Sequence, residues 1–148
     1  MRKFLPLAVI LAVFSLSQAT FAVDAADPPS SFGMPISAAV IVSFKDSSAV
    51  FKPDADQATR LADANGAALV TIRGRTSTNK PSAKDESLAL SRALSARSYL
   101  IARGVSPLKV VINFASAADF ISDNSTPEGR QENQRVEVEM VFVSPLTN

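Results

Sequence analysis

Residues 82–107 read SAKDESLALSRALSARSYLIARGVSP, and the frame of the whole chain follows from their spacing. Ala89, Ala93, Ala96 and Leu100 recur at intervals of four, three and four, which is one face of an α-helix. Ser82 fits an N-cap with Asp85 three residues on, and Gly104 with Pro107 ends the helix. On its N-terminal side lie a polar loop over 76–83 and the strand AALVTIR at 67–73. A helical segment runs from Pro53 to about Asn65, its apolar stripe made by Ala55, Ala58, Leu61 and Ala62, with Gly66 just past its end. Before it, residues 45–52 turn the chain, and the Val- and Ile-rich run 36–44 suits a buried strand.

On the C-terminal side, 108–115 reads as a third strand and 135–143 as a fourth. In the fourth, Val136, Val138, Met140 and Phe142 alternate with Arg135, Glu137 and Glu139, so one face is buried and the other wet. The order β-α-β-α-β-loop-β predicts an α+β fold: a two-layer β-α-β-α-β-β sandwich with two helices on one face of a four-stranded mixed sheet.

The 148 residues fit one ordinary domain, expected over 36–145, preceded by a processing segment and a linker. Arg2 and Lys3 precede an apolar run from Phe4 to Phe14, then a more polar stretch and small residues at Ala22 and Ala25. This pattern predicts a secretory signal peptide over 1–25, cleaved after Ala22 or Ala25, and an exported protein with no membrane span in its mature form. The alternative is an uncleaved N-terminal anchor. Residues 26–35, rich in Pro, Ser and Gly, read as the linker. Cleavage after Ala25 takes Arg2 and Lys3 from the 15 basic residues and Asp24 from the 14 acidic ones, leaving 13 of each.

That balance argues against nucleic acid as a partner. Cys and His are both absent, which excludes disulfides, thiol nucleophiles, Cys/His metal sites and any triad needing an imidazole base. The five glycines, at 33, 66, 74, 104 and 129, are too scattered for a phosphate-cradling loop or a dinucleotide fingerprint. Carboxylate pairs for acid/base work could form locally at Asp54/Asp56 or Glu128/Glu132, but acids at a helix start complement its dipole and need no catalytic reason. No metal or organic cofactor is implied, and a binding or structural module is favoured over an enzyme.

Arg92 is the candidate with the most chemistry. It lies seven residues after Asp85, two turns along the same helical face and roughly 10 Å along the axis. Its side chain leans toward the helix N-terminus, over the loop that follows the second strand. A guanidinium there matches a carboxylate through two parallel hydrogen bonds. The plain alternative is a solvated arginine on a helix flank.

From Val42 to Val143 the chain resembles the OmpA-like peptidoglycan-binding domain, the module also found in peptidoglycan-associated lipoproteins and the flagellar stator B subunit. The resemblance rests on FKDSSAVFKP at 44–53, on Val70 to Gly74, and on Leu88, Arg92, Ala93, Tyr99, Leu100 and Gly104. Its most specific part is NSTPEGR at 124–130 leading into Asn133, Arg135, Val136 and Glu137. In that family an Asp after the second strand and an Arg on the second helix clasp the zwitterionic end of diaminopimelate in the stem peptide. The resemblance carries the Arg to Arg92. It does not carry the Asp, because Ser77, after Thr76, occupies that position and the loop Gly is replaced by Lys80. The Gly-x-Gly and Pro expected after the third strand are likewise replaced, by Phe114, Ser116 and Phe120.

Losing the acid weakens ammonium binding about 10-fold to 150-fold, taking a charge-assisted hydrogen bond as about 1.5 to 3 kcal/mol. Arg73, Arg75, Lys80 and Lys84 make residues 73–84 strongly basic with no acid among them, a loop that favours carboxylates. Asp85 has two readings: a carboxylate that replaces the missing one, or the partner of Ser82 in a cap. Arg130 is a secondary binding candidate, with surface pairing to Glu128, Glu132 or Glu137 as its alternative, and Arg135 is read as a surface pair with one of the same acids. Asn124 and Thr126 are read as loop organisers.

These residues predict a non-catalytic periplasmic domain of a Gram-negative envelope. Its expected ligand is the peptidoglycan stem peptide, bound by Arg92 with Thr76, Ser77, Asp85 and Arg130. The alternative is a scaffold that binds a protein partner in an envelope-spanning secretion, conjugation or motility assembly without glycan affinity. A cell-wall hydrolase is a third, weaker reading.

Overall fold

The computed structural model describes residues 34–144. The expected signal peptide and all but the last two linker residues lie outside that range.

Seven elements follow one another: β1 (Ile36–Ser43), α1 (Ala55–Leu61), β2 (Leu69–Arg75), α2 (Ala83–Ile101), β3 (Val110–Ala115), α3 (Pro127–Asn133) and β4 (Arg135–Phe142). The sheet order is β1-β4-β2-β3. β4 pairs antiparallel with both β1 and β2, while β2 and β3 run parallel, so the sheet is mixed as the element order requires. Val40, Val42, Val70, Ile72, Val136, Val138 and Met140 point to one face and meet Leu61, Ala93, Ala96 and Leu100 from the helical layer. This alternation is the period-2 pattern of a sheet with one covered face.

Local chemistry sets the element ends. Asp54, not Pro53, caps α1: its carboxylate accepts from Gln57 N at 2.8 Å, and Gln57 Oε1 accepts from Asp54 N at 2.9 Å. The helix starts after the residue whose side chain satisfies its amides, which places Pro53 just outside it. The expected helix to Asn65 divides into α1 and a 3-10 turn, Ala62–Asn65. Ser82 caps α2, and Gly104 follows it in the left-handed region at φ +96°, where the absence of a Cβ removes the strain.

Two differences from the expected pattern matter for the site. β2 continues through Gly74 and Arg75, which stay paired with Phe114 and Ala115 of β3, and α2 passes so close to Gly74 that a Cβ there would lie 2.1 Å from Ala89 O. The segment expected as a loop before β4 contains α3, with Thr126 Oγ1 accepting from Gly129 N at 3.0 Å and Pro127 in the first turn. No helix among the described residues is long and apolar enough to cross a membrane.

Candidate functional site

Arg92 is at the centre of the region, but it is enclosed. Its side chain is 0 % exposed. Nε donates to Ser48 O at 2.8 Å, Nη1 to Arg75 O at 2.9 Å, and Nη2 to Lys45 O at 3.3 Å and Gln134 Oε1 at 2.8 Å. The guanidinium also stands 5.0 Å from the centre of the Phe44 ring. Four of its five N–H groups are thus engaged, and they tie the β1–α1 loop, the end of β2 and the start of β4 to α2. Burial lowers its pKa to about 10, opposed by the charge of Asp46, so it stays protonated at neutral pH. Gln134 links the two charges, accepting from Arg92 and donating through Nε2 to Asp46 Oδ1. The expected guanidinium projecting into an open recess is, in the structure, a buried junction.

Thr76 is the neighbour with spare capacity. It is 3 % exposed, and its Oγ1 is the one buried side-chain polar atom among the described residues without a hydrogen-bond partner. The carbonyl that Arg92 Nη1 binds belongs to the peptide bond entering Thr76. A buried hydroxyl left unpaired costs free energy of order 1 to 3 kcal/mol, which makes such an atom a candidate for a missing partner.

The remaining candidates occupy the rim or brace it. Ser77 is half-buried, and its carbonyl accepts from Asn124 Nδ2 at 2.8 Å, which joins the β2–α2 loop to the loop before α3. Asp85 is half-buried and accepts from Ser82 Oγ at 2.5 Å, while Ser82 Oγ accepts from Asp85 N at 3.1 Å. Its carboxylate engages the cap residue, and no hydrogen bond joins it to Arg92 among the described residues. Arg130 Nη1 donates to Ser125 O at 2.9 Å and Asn124 O at 3.4 Å, bracing the loop rather than facing Arg92. Asn133, fully buried, accepts from Ile121 N and Ser122 N and donates to Ser122 O and Asn124 Oδ1.

The strongly basic loop expected over 73–84 is corrected by partners from elsewhere in the chain. Arg73 pairs with Glu139 at 2.6 Å, and Arg75 pairs with Asp119 at 2.7 Å, so Lys80 and Lys84 carry what positive charge is left there. Arg135, expected on the surface, is buried: it pairs with Glu137 at 2.5 Å and donates to Asp119 O. Gln134 and the closing role of Asp119, which sits at φ +54°, carry no signal in the sequence, because their partners are distant along the chain.

The geometry is that of a domain organised around one helix-borne arginine and an NSTPEGR…N loop, and the OmpA family profile matches residues 43–134. The chain belongs to the OmpA family. A Brucella suis protein described as an outer membrane lipoprotein of a type IV secretion system is 35% identical over 72 residues, 49% of this chain and 42% of that protein. The peptidoglycan-binding protein ArfA of Mycobacterium tuberculosis is 33% identical over 96 residues, 63% of this chain and 29% of ArfA. The chain therefore spans less than half the length of these curated relatives. The OmpA-like domain of FopA1 from Francisella tularensis superposes with a TM-score of 0.58 at 19% identity, covering 78% of this chain and 79% of that one. The mixed sheet with its helical layer is the fold of this OmpA-like domain.

Proposed function

We propose that this OmpA-family domain is a non-catalytic, periplasmic peptidoglycan-binding module, and that it takes a stem-peptide carboxylate at the end of β2. The unpaired hydroxyl of Thr76 carries the reading. It lies beside the Arg75 carbonyl that Arg92 holds. In this reading a carboxylate accepts from the Thr76 hydroxyl, and the buried guanidinium behind the Arg75 carbonyl contributes its positive field without touching the ligand. Ser77 and Asp85 line the side where the ligand's ammonium group would lie, with Arg130 holding the neighbouring loop. The name of ArfA, a relative at 33% identity, points to the same ligand.

Co-sedimentation of the purified protein with isolated sacculi tests this. Thr76→Val keeps the shape and removes the hydroxyl; one hydrogen bond to a carboxylate, at about 1.5 to 3 kcal/mol, predicts about a 10-fold to 150-fold loss of retention. Ser77→Asp supplies an acid at the position where the family has one and is expected to raise retention at least 10-fold, with free diaminopimelate competing. No retention of either protein at low salt would overturn the reading.

One observation favours a second role. Most of Arg92's donors are used internally, and the resemblance puts Ser77 at the position of the family's acid. A domain in that state serves as a scaffold in an envelope-spanning assembly, a role in keeping with the type IV secretion name of the Brucella relative. Loss of sacculus binding together with recovery of an envelope protein in cross-linked complexes would select this reading.

A further inference from the structure

The far side of the Arg92 junction holds a separate feature. At the end of β1 a recess of about 300 Å³ is lined by Ser43, Phe44, Lys45, Ser48, Val50 and Lys52. Its walls are held from behind: Arg92 binds the carbonyls of Lys45 and Ser48 and lies over the Phe44 ring. Two lysines line it and no acidic side chain does.

The recess continues the open edge of the sheet. β1 is an outermost strand. Phe44 N donates to Gln134 O at 2.7 Å, which fixes the alternation: even-numbered residues bond toward β4, and Ser37, Ala39, Ile41 and Ser43 turn their N–H and C=O groups outward. Gln57 Nε2, donating to Ile41 O at 2.8 Å, agrees with that alternation and covers one of these groups. The strand ISAAVIVS has no charge and no Pro, so it lacks the usual devices that keep an edge from pairing. The outward groups from Ser37 to Ser43 span about 20 Å at the rise of a strand.

We infer that this edge and recess together receive an extended, acidic segment of a partner protein, added as a fifth strand, with a carboxylate seated between Lys45 and Lys52. Backbone pairing supplies affinity along the edge, and the lysines supply register and sign. A single cell-wall carboxylate occupies the recess but leaves the outward groups of Ser37, Ala39 and Ser43 unpaired, so the length of the feature selects a protein segment, whose pairing at Ile41 O displaces Gln57.

Fluorescence anisotropy on the purified protein tests this with labelled peptides VSVSVSDD and VSVSVSKK. The acidic peptide is expected to bind about fivefold to tenfold more tightly, from two exposed ion pairs, with the ratio falling toward one in 0.5 M salt. Lys45→Glu with Lys52→Glu reverses the preference. Ala39→Pro removes one outward N–H on an edge where Pro is tolerated and abolishes binding. A VSVSVSDD peptide N-methylated at alternate residues abolishes it without altering the protein. Thr76→Val leaves peptide affinity unchanged, which separates this site from the sacculus site. Equal affinity for both peptides, no binding at millimolar peptide, unimpaired binding of the N-methylated peptide, or displacement of the acidic peptide by muropeptides would each overturn the proposal.

Discussion

Replacing Arg92 by Met should unfold far more than it unbinds. The substitution keeps an unbranched side chain of similar reach and removes every donor. Lys45 O, Ser48 O, Arg75 O and Gln134 Oε1 then lose their partner. Four hydrogen bonds from a charged donor, at about 1.5 kcal/mol each, amount to about 6 kcal/mol. Against this stands the relief of burying a charge. The pKa of Arg92 is lowered from its ordinary value to about 10, which corresponds to roughly 3 kcal/mol. The net loss is about 3 kcal/mol, a large part of the 5 to 15 kcal/mol that stabilises a typical domain. Urea unfolding at pH 7 should show that loss at unchanged m value, and the Tm should fall by about 12 °C or more. Arg92→Lys retains the charge, but one ammonium cannot span acceptors on three chain segments, so a similar loss is expected. A loss below about 1 kcal/mol in Arg92→Met, or full stability in Arg92→Lys, would refute the junction role. If the role holds, failure of an Arg92 variant to bind sacculi does not assign a ligand contact to Arg92, and the test moves to Thr76 and Ser77.

Gly74→Ala should destabilise by about 1 to 3 kcal/mol, because its Cβ would meet Ala89 O at 2.1 Å and Ala93 Cβ at 3.2 Å; differential scanning calorimetry with an unchanged Tm would contradict the close β2–α2 contact. Asp85→Asn keeps the shape but weakens the bond from Ser82 Oγ, so a loss of about 0.5 to 1 kcal/mol with unaltered sacculus retention is expected if Asp85 serves the cap alone. Reduced retention at unaltered stability would instead assign Asp85 to the ligand.

The parts of the fold written in short-range chemistry were legible. The Ala89, Ala93, Ala96, Leu100 spacing gave α2, the Val136 to Phe142 alternation gave β4, and the order of the elements gave the mixed sheet and its helical layer. What was missed depends on partners far along the chain. Arg73 and Arg75 looked like loop charge until Glu139 and Asp119, more than 40 residues away, were brought beside them. α3 was hidden because seven residues with Pro and Gly among them read as a turn; Thr126 capping Gly129 is what makes them a helix. The burial of Arg92 had no local signal at all, since three of its acceptors are backbone carbonyls, which every residue carries.

That last point separates two roles that a shared motif merges. An arginine bound to three carbonyls and to Gln134 is required for folding whether or not the domain meets a cell wall, so its presence at position 92 does not report on ligand. Thr76 and Ser77 side chains, by contrast, carry no hydrogen bond among the described residues, so neither is fixed by a polar partner, although buried Thr76 accepts only a side chain of its own size. If the proposed site is right, its binding chemistry varies at the end of β2 while Arg92 holds the loops that frame it. The same separation leaves the recess at Lys45 and Lys52 intact if the other site fails: its walls hang from the buried face of the guanidinium junction, and a domain that has lost its glycan keeps a rigid edge on which to recruit a protein.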